Sequence, residues 1–185
     1  MTLDKPPTLA PVLHGETLAR RTRATQWMLQ AAQSQHTAGM EWTEQGVALL
    51  TAGRVWDVVR APYAALGRGL DRCTDPQELR RQVKAVGAGA VWCDPYRPCL
   101  YFLVPPGTDR HWPYDRRLAG VECMGGTRPY IHYIGVPRLD RTSPPGFFWL
   151  IPPDCDGQAL ADPELLYKAL LARTSESSAP ASNTP

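Results

Sequence analysis

Proline and glycine cut the stretch from Ala90 to Ile151 into short apolar runs, which leaves no room there for a long helix. Pro95 and Pro98, Pro105-Pro106-Gly107, Gly125-Gly126 and Pro144-Pro145-Gly146 are the breaks. Residues 90–93, 99–104, 118–123, 130–136 and 147–151 lie between them and have the length and side chains of strands. Residues 94–98 close the first two strands into a hairpin, with Cys93 and Cys99 placed to face each other across it as buried thiols. Consecutive strands joined by short turns imply antiparallel pairing.

Upstream the pattern alternates. Residues 16–32 predict a helix with Leu18, Thr22, Thr25, Leu29 and Ala32 on one face. Residues 34–44 read as polar and irregular. Residues 47–51 and 55–60 are strand-like, and Pro62 opens a short helix over 63–72. Asp75-Pro76-Gln77-Glu78 is a helix start, with an N-cap aspartate and a first-turn proline. That helix runs to about Val86. Asp162-Pro163-Glu164 starts another, which reaches about Arg173. The sum is an α+β fold, a single domain over 16–173 with a mixed, largely antiparallel sheet of five to seven strands and helices packed on it. Residues 1–15 read as a flexible leader and 174–185 as a disordered tail, because the tail lacks apolar residues of any size.

Composition narrows the function classes. The 185 residues are 43% hydrophobic and 21% charged, as in a globular domain. A net charge of +2 is far from a strongly basic nucleic-acid binder, although it hides local clusters. No apolar run approaches the ~18 residues that span a bilayer, and 1–13 lack the order of a signal peptide. The five cysteines contain no Cys-x-x-Cys pair, so reduced thiols in a cytoplasm are the better reading than a zinc or disulfide framework.

No phosphate-binding glycine loop, dinucleotide fingerprint or nucleophile elbow is present. None of the four histidines has a partner at metal-ligand spacing. His132 reads as a mid-strand sheet or core residue, and His111 as solvent-exposed beside Trp112. Asp154 and Asp156 have the spacing that points two carboxylates to one side of a strand, but the flanking prolines and Gly157 favour a turn with solvated aspartates. The arginines are dispersed. Arg97, Arg128, Arg138 and Arg141 lie beside strand ends and are the set that would line a nucleic-acid or nucleotide groove.

Four places carry a resemblance. They are Val55-Trp56-Asp57-Val58-Val59, Leu100-Tyr101-Phe102, Gly120-Val121-Glu122, and 130–137 followed by 146–149. In order and spacing the stretch 47–149 resembles the N-terminal domain of bifunctional DNA primase/polymerases, of the archaeo-eukaryotic primase superfamily. More closely, it looks like small actinobacterial proteins that carry that domain name. The resemblance implies a nucleotidyltransferase fold used in DNA replication. It also implies carboxylates holding magnesium or manganese for attack of a 3′-hydroxyl on an α-phosphate.

By that resemblance Asp57 is the first aspartate of an Asp-x-Asp pair, Cys99 stands at the active-site histidine, and Glu122 at the later acidic residue. Asp57 and Glu122 would be the metal ligands. The second aspartate is Val59 here, and a neutral thiol cannot replace an imidazole on a phosphate. The expectation is a catalytically degenerate domain that retains nucleic-acid or nucleotide binding. The alternatives are a protein-interaction module with no nucleotide link, and an active polymerase. A basic groove leading to Asp57 favours the first, and an apolar patch on the sheet face the second. If the alignment holds, Asp57, Cys99 and Glu122 converge on one face of one sheet. Val58, Leu100, Phe102, Ile131 and Ile134 are the expected core.

Overall fold

The computed structural model describes residues 10–127, 129–154 and 160–178. Two antiparallel sheets lie at its centre. The larger has the order β5-β2-β4-β3-β7, built from β2 (Asp57–Pro62), β3 (Val91–Asp94), β4 (Cys99–Val104), β5 (Glu122–Met124) and β7 (Phe148–Ile151). The smaller pairs β1 (Val47–Thr51) with β6 (Tyr133–Pro137). The α+β architecture is therefore present, with its strands divided between two sheets.

Alternation sorts the large sheet into two faces. Val59, Ala61, Leu100, Phe102, Val104, Val91 and Cys93 point to one side. There they meet Leu79 and Val83 of α3 (Pro76–Ala85) and Leu166 and Leu170 of α4 (Pro163–Ser178). Val58, Leu103, Trp92, Trp149 and Met124 point to the other side. They meet Leu50, Ile134 and Val136 of the small sheet, with Ala24 and Met28 of α1 (Ala10–Leu29) and Ala38 and Trp42 of α2 (Gln35–Glu44). Each fully buried Leu or Val stabilises the fold by roughly 1.5–3 kcal/mol. Buried indoles tie the layers together. Trp149 Nε1 donates to Pro137 O at 2.9 Å and Trp42 Nε1 to Val136 O at 2.9 Å, so both reach the small sheet.

The helix starts follow their sequence logic. Asp75 Oδ1 accepts from the N–H groups of Gln77 and Glu78, and Pro76 takes the first helical position. Arg80 then extends off α3 to the carbonyls of Leu150 (3.0 Å) and Thr142 (2.7 Å), which fixes the helix to β7.

Several expectations are corrected. Residues 34–44 are not irregular: Ser34 caps α2, whose buried side is only Ala38 and Trp42. The short helix expected over 63–72 is a single 3-10 turn, Tyr63–Ala65, because Gly67 and Gly69 follow at once. Consecutive strands pair only in the β3–β4 hairpin; β5 joins β2, β6 joins β1 and β7 joins β3. Leu18 is exposed, and α1 buries Ala24 and Met28 instead. Ile131 is 61% exposed because β6 begins only at Tyr133, so it is not a core residue. Val58, Leu100, Phe102 and Ile134 are buried as expected. Helix occupies 10–15 of the expected leader and 174–178 of the expected tail, since α1 and α4 each extend past the bounds that their apolar residues mark. Residues 1–9 and 179–185 lie outside the described residues, as do Cys155, Asp156 and Gly157.

Candidate functional site

Register decides which site residues meet. Asp57 pairs opposite Val104, at one end of the β2–β4 ladder, and Cys99 opposite Pro62, at the other. Five residues of strand separate the two positions, roughly 16 Å at ~3.3 Å per residue. Asp57 shares the α3–α4 face with Val59 and Val104. Cys99 and Glu122 alternate onto the opposite face, Glu122 being opposite Arg60. The expected convergence of Asp57, Cys99 and Glu122 does not occur. Asp57 and Glu122, on opposite faces of the sheet, do not fit a shared magnesium or manganese ion. Among the described residues no group of three or more His, Cys, Asp or Glu is arranged to hold a metal.

Asp57 has a different partner. It is fully buried, and its Oδ2 accepts from the backbone N–H of Asp109 at 3.0 Å. Asp109 sits in the 3-10 turn Thr108–Arg110, and its Oδ2 accepts from Thr127 N–H at 2.8 Å. The other oxygens, Asp57 Oδ1 and Asp109 Oδ1, are buried and receive no donor. One proton shared between the two carboxyls satisfies both. Burial pushes Asp57 up to about 6, and the charge of Asp109 adds to the rise, against the pull of the Asp109 and Gly107 amides. Burial also raises Asp109, but the hydrogen bonds from Thr127 and Asp57 outweigh it and hold its carboxyl below the usual value. Gly125 makes room for the pair, since a Cβ there would lie 2.4 Å from Asp109 Cγ. Below about pH 6 the pair holds one proton and is an acid–carboxylate couple; above it both carboxyls are charged. Sequence reasoning missed Asp109 because it stands 52 residues from Asp57 with no local pattern to mark it.

The opposite face carries a second cluster. Along this face Val58 and Leu103 are fully buried, whereas Arg60, Tyr101, Pro62 and Cys99 are all partly exposed. At this open corner Arg60 pairs with Glu122 at 2.9 Å. Tyr101 lies flat on buried Trp92, with ring centroids 5.1 Å apart and planes at 6°. Burial raises the Tyr101 hydroxyl, while Arg60 and Arg97 oppose the rise. Cys99 is likewise raised, chiefly by burial, so it stays a neutral thiol despite Arg60. Of the expected site residues this corner gathers Cys99, Glu122 and Arg97, around two that were not expected, Arg60 and Tyr101. A ladder neighbour of the 99–104 strand was the signal that could have found them.

Arg138 and Arg141 do not join it as free cations. Arg138 is engaged by Asp140 at 2.6 Å, and Arg141 donates to the carbonyls of Pro145 and Gln45. Arg128 lies outside the described residues. Cys93 and Cys99 fall on opposite faces of the hairpin, so they do not confront each other. Cys93 is buried beside the Tyr63 hydroxyl and is pushed up to about 12 by that burial. His132 precedes β6 rather than standing inside it, and its Nδ1 is 3.0 Å from Gly125 O. His111 is exposed, as expected. No described helix is long and apolar enough to cross a membrane. Compared with known proteins, the chain matches no family model, no curated protein and no solved structure.

Proposed function

We propose that this chain is a cytoplasmic, catalytically degenerate domain of the primase/polymerase type that binds a nucleotide or single-stranded nucleic acid without acting on it. The observation that carries the reading is the open sheet corner, where Tyr101 is held flat on Trp92 beside Arg60 and Arg97. An aromatic ring already fixed against a neighbour offers its outer face to a base at little entropic cost, and the arginines meet the phosphates. The order of the four resembling stretches along the chain is what supports the lineage; the alignment of Asp57, Cys99 and Glu122 as one site does not hold, because the register sets Asp57 on the face opposite the other two. Glu122 competes with phosphate for Arg60, which makes it a brake on affinity.

The test is binding of labelled single-stranded DNA at low and moderate salt. Tyr101→Ala is expected to weaken it by ~1–3 kcal/mol, the value of one stacked base. Two arginine–phosphate contacts give a log–log salt slope of about −1.4. Glu122→Gln is expected to tighten binding. Affinity indifferent to Tyr101, or absent at low salt, would overturn the reading.

The interaction-module reading has its own observation. Leu49 (57% exposed) and Tyr133 (49%) are diagonal neighbours on the outward face of the β1–β6 ribbon. Leu49→Lys with Tyr133→Lys separates the two readings, since it abolishes capture of a protein partner and leaves DNA binding intact.

A further inference from the structure

A cleft of about 610 Å³ opens between the 106–113 loop and the start of α4, on the face of the large sheet opposite Tyr101. That volume is typical of sites for small organic ligands, roughly 300–1,000 Å³. Two of its walls are aromatic. Trp112 and Tyr167 stand perpendicular, with planes at 90° and centroids 5.8 Å apart. Tyr167 is anchored from behind by its hydroxyl, which donates to Asp115 Oδ2 at 2.9 Å; Asp115 is itself neutralised by Arg117.

The charge at the rim selects the ligand. A helix N-terminus ordinarily attracts anions through its free N–H groups. Here Asp162 Oδ1 already accepts from Glu164 N–H and Leu165 N–H, each at 2.9 Å, so the donors are taken and a carboxylate stands in front of them. Glu164 adds a second negative charge. Its contact with Lys168 spans 3.5 Å between side chains mostly in water, a pair too weak to keep a bound cation from replacing it. Aromatic walls with two carboxylates at their rim match a positive charge that is poorly hydrated.

We propose that this cleft binds an organic cation, with an alkylated ammonium head against Trp112 and Tyr167 and an apolar body along Pro106, Pro113 and Pro163. The volume exceeds what the head fills alone, so the body is part of the ligand. A free small molecule and an alkylated lysine side chain share this chemistry.

The test titrates the full chain with 4-(trimethylammonio)phenol and with its neutral isostere 4-tert-butylphenol. Calorimetry gives the affinity, and the Trp112 indole resonance gives the location. The cation is expected to bind at least tenfold tighter than the isostere and to shift Trp112. Glu164→Gln is expected to weaken the cation severalfold and Lys168→Gln to strengthen it; both are surface changes that leave the fold intact. Trp112→Leu removes one wall and is expected to cost tenfold or more. A trimethyl-lysine peptide run in parallel identifies the source: tighter binding than the aryl cation assigns a protein side chain, and weaker binding a free ligand. Equal affinity for cation and isostere would overturn the proposal. So would a cation that binds without moving Trp112, or one indifferent to both rim variants.

Discussion

Asp109 gives its backbone N–H to Asp57 Oδ2 at 3.0 Å, and the two carboxyls close on each other where Asp57 has no exposure to water. The couple has a consequence for stability. Asp57 rises from 3.8 to about 6 on folding. Between those values the folded chain holds more protons than the unfolded one. Asp57's contribution to stability is therefore full below pH ~4 and declines as pH rises through 6. The shift corresponds to about 3 kcal/mol, reduced by the opposite shift at Asp109. Asp57→Asn keeps an acceptor for the Asp109 amide and gives its carboxylate a permanent donor. It should flatten the decline and raise stability at pH 7.5 by about 1–3 kcal/mol. Urea midpoints at pH 4.5, 5.5 and 7.5 decide it; an unchanged slope in the variant would show that Asp57 does not titrate there.

Two glycines should respond in opposite directions. Gly53 has φ +88°, and a Cβ there would lie 2.2 Å from the Gly126 backbone. Gly53→Ala is expected to destabilise by more than about 3 kcal/mol, from strain and backbone clash together. Gly39 lies inside α2 with nothing within 4 Å of its would-be Cβ. Gly39→Ala should stabilise by roughly 0.5–1 kcal/mol. Thermal unfolding of the pair checks both, and a tolerated alanine at 53 would mean that the Gly53–Gly126 contact is not made.

These cases show where local sequence informs and where it stops. The Asp75 cap and the 99–104 strand were legible because capping and alternation act over a few residues. Helix α2 was not, because two buried side chains in ten leave a polar-looking segment; Ser34 followed by Trp42 was the available hint. The true neighbours of Asp57 and Cys99 depend on strand order. Here β2 sits between β4 and β5, which alternation cannot reveal. A motif alignment therefore placed three residues together that the register sets on two faces.

Trp149→Phe removes the buried indole N–H that reaches Pro137 O from β7. A carbonyl left without its donor costs about 1–3 kcal/mol, and the smaller ring adds a void. Hydrogen exchange should show Trp149→Phe lowering protection in β1 and β6 more than in β2 and β4. Uniform loss would indicate that the indole contributes packing alone.

The chain is expected not to initiate or extend a primer with any nucleoside triphosphate and magnesium or manganese. Val59 stands where the resemblance would put the second aspartate, and Asp57 is enclosed with Asp109 on the face of the sheet opposite Glu122. Single-turnover extension with excess protein is the sensitive assay. Template-dependent product that disappears in Asp57→Ala would restore the polymerase reading.

During synthesis, β1 waits for a distant partner. Val47 pairs with Pro137, ninety residues later, so the inward row of Ala48 and Leu50 leaves the ribosome long before anything can cover it. Such far-apart pairing is slow and exposes a strand edge to wrong partners while it lasts. Nascent chains stalled before residue 137 should therefore depend on holding chaperones, and chains stalled well beyond it should not.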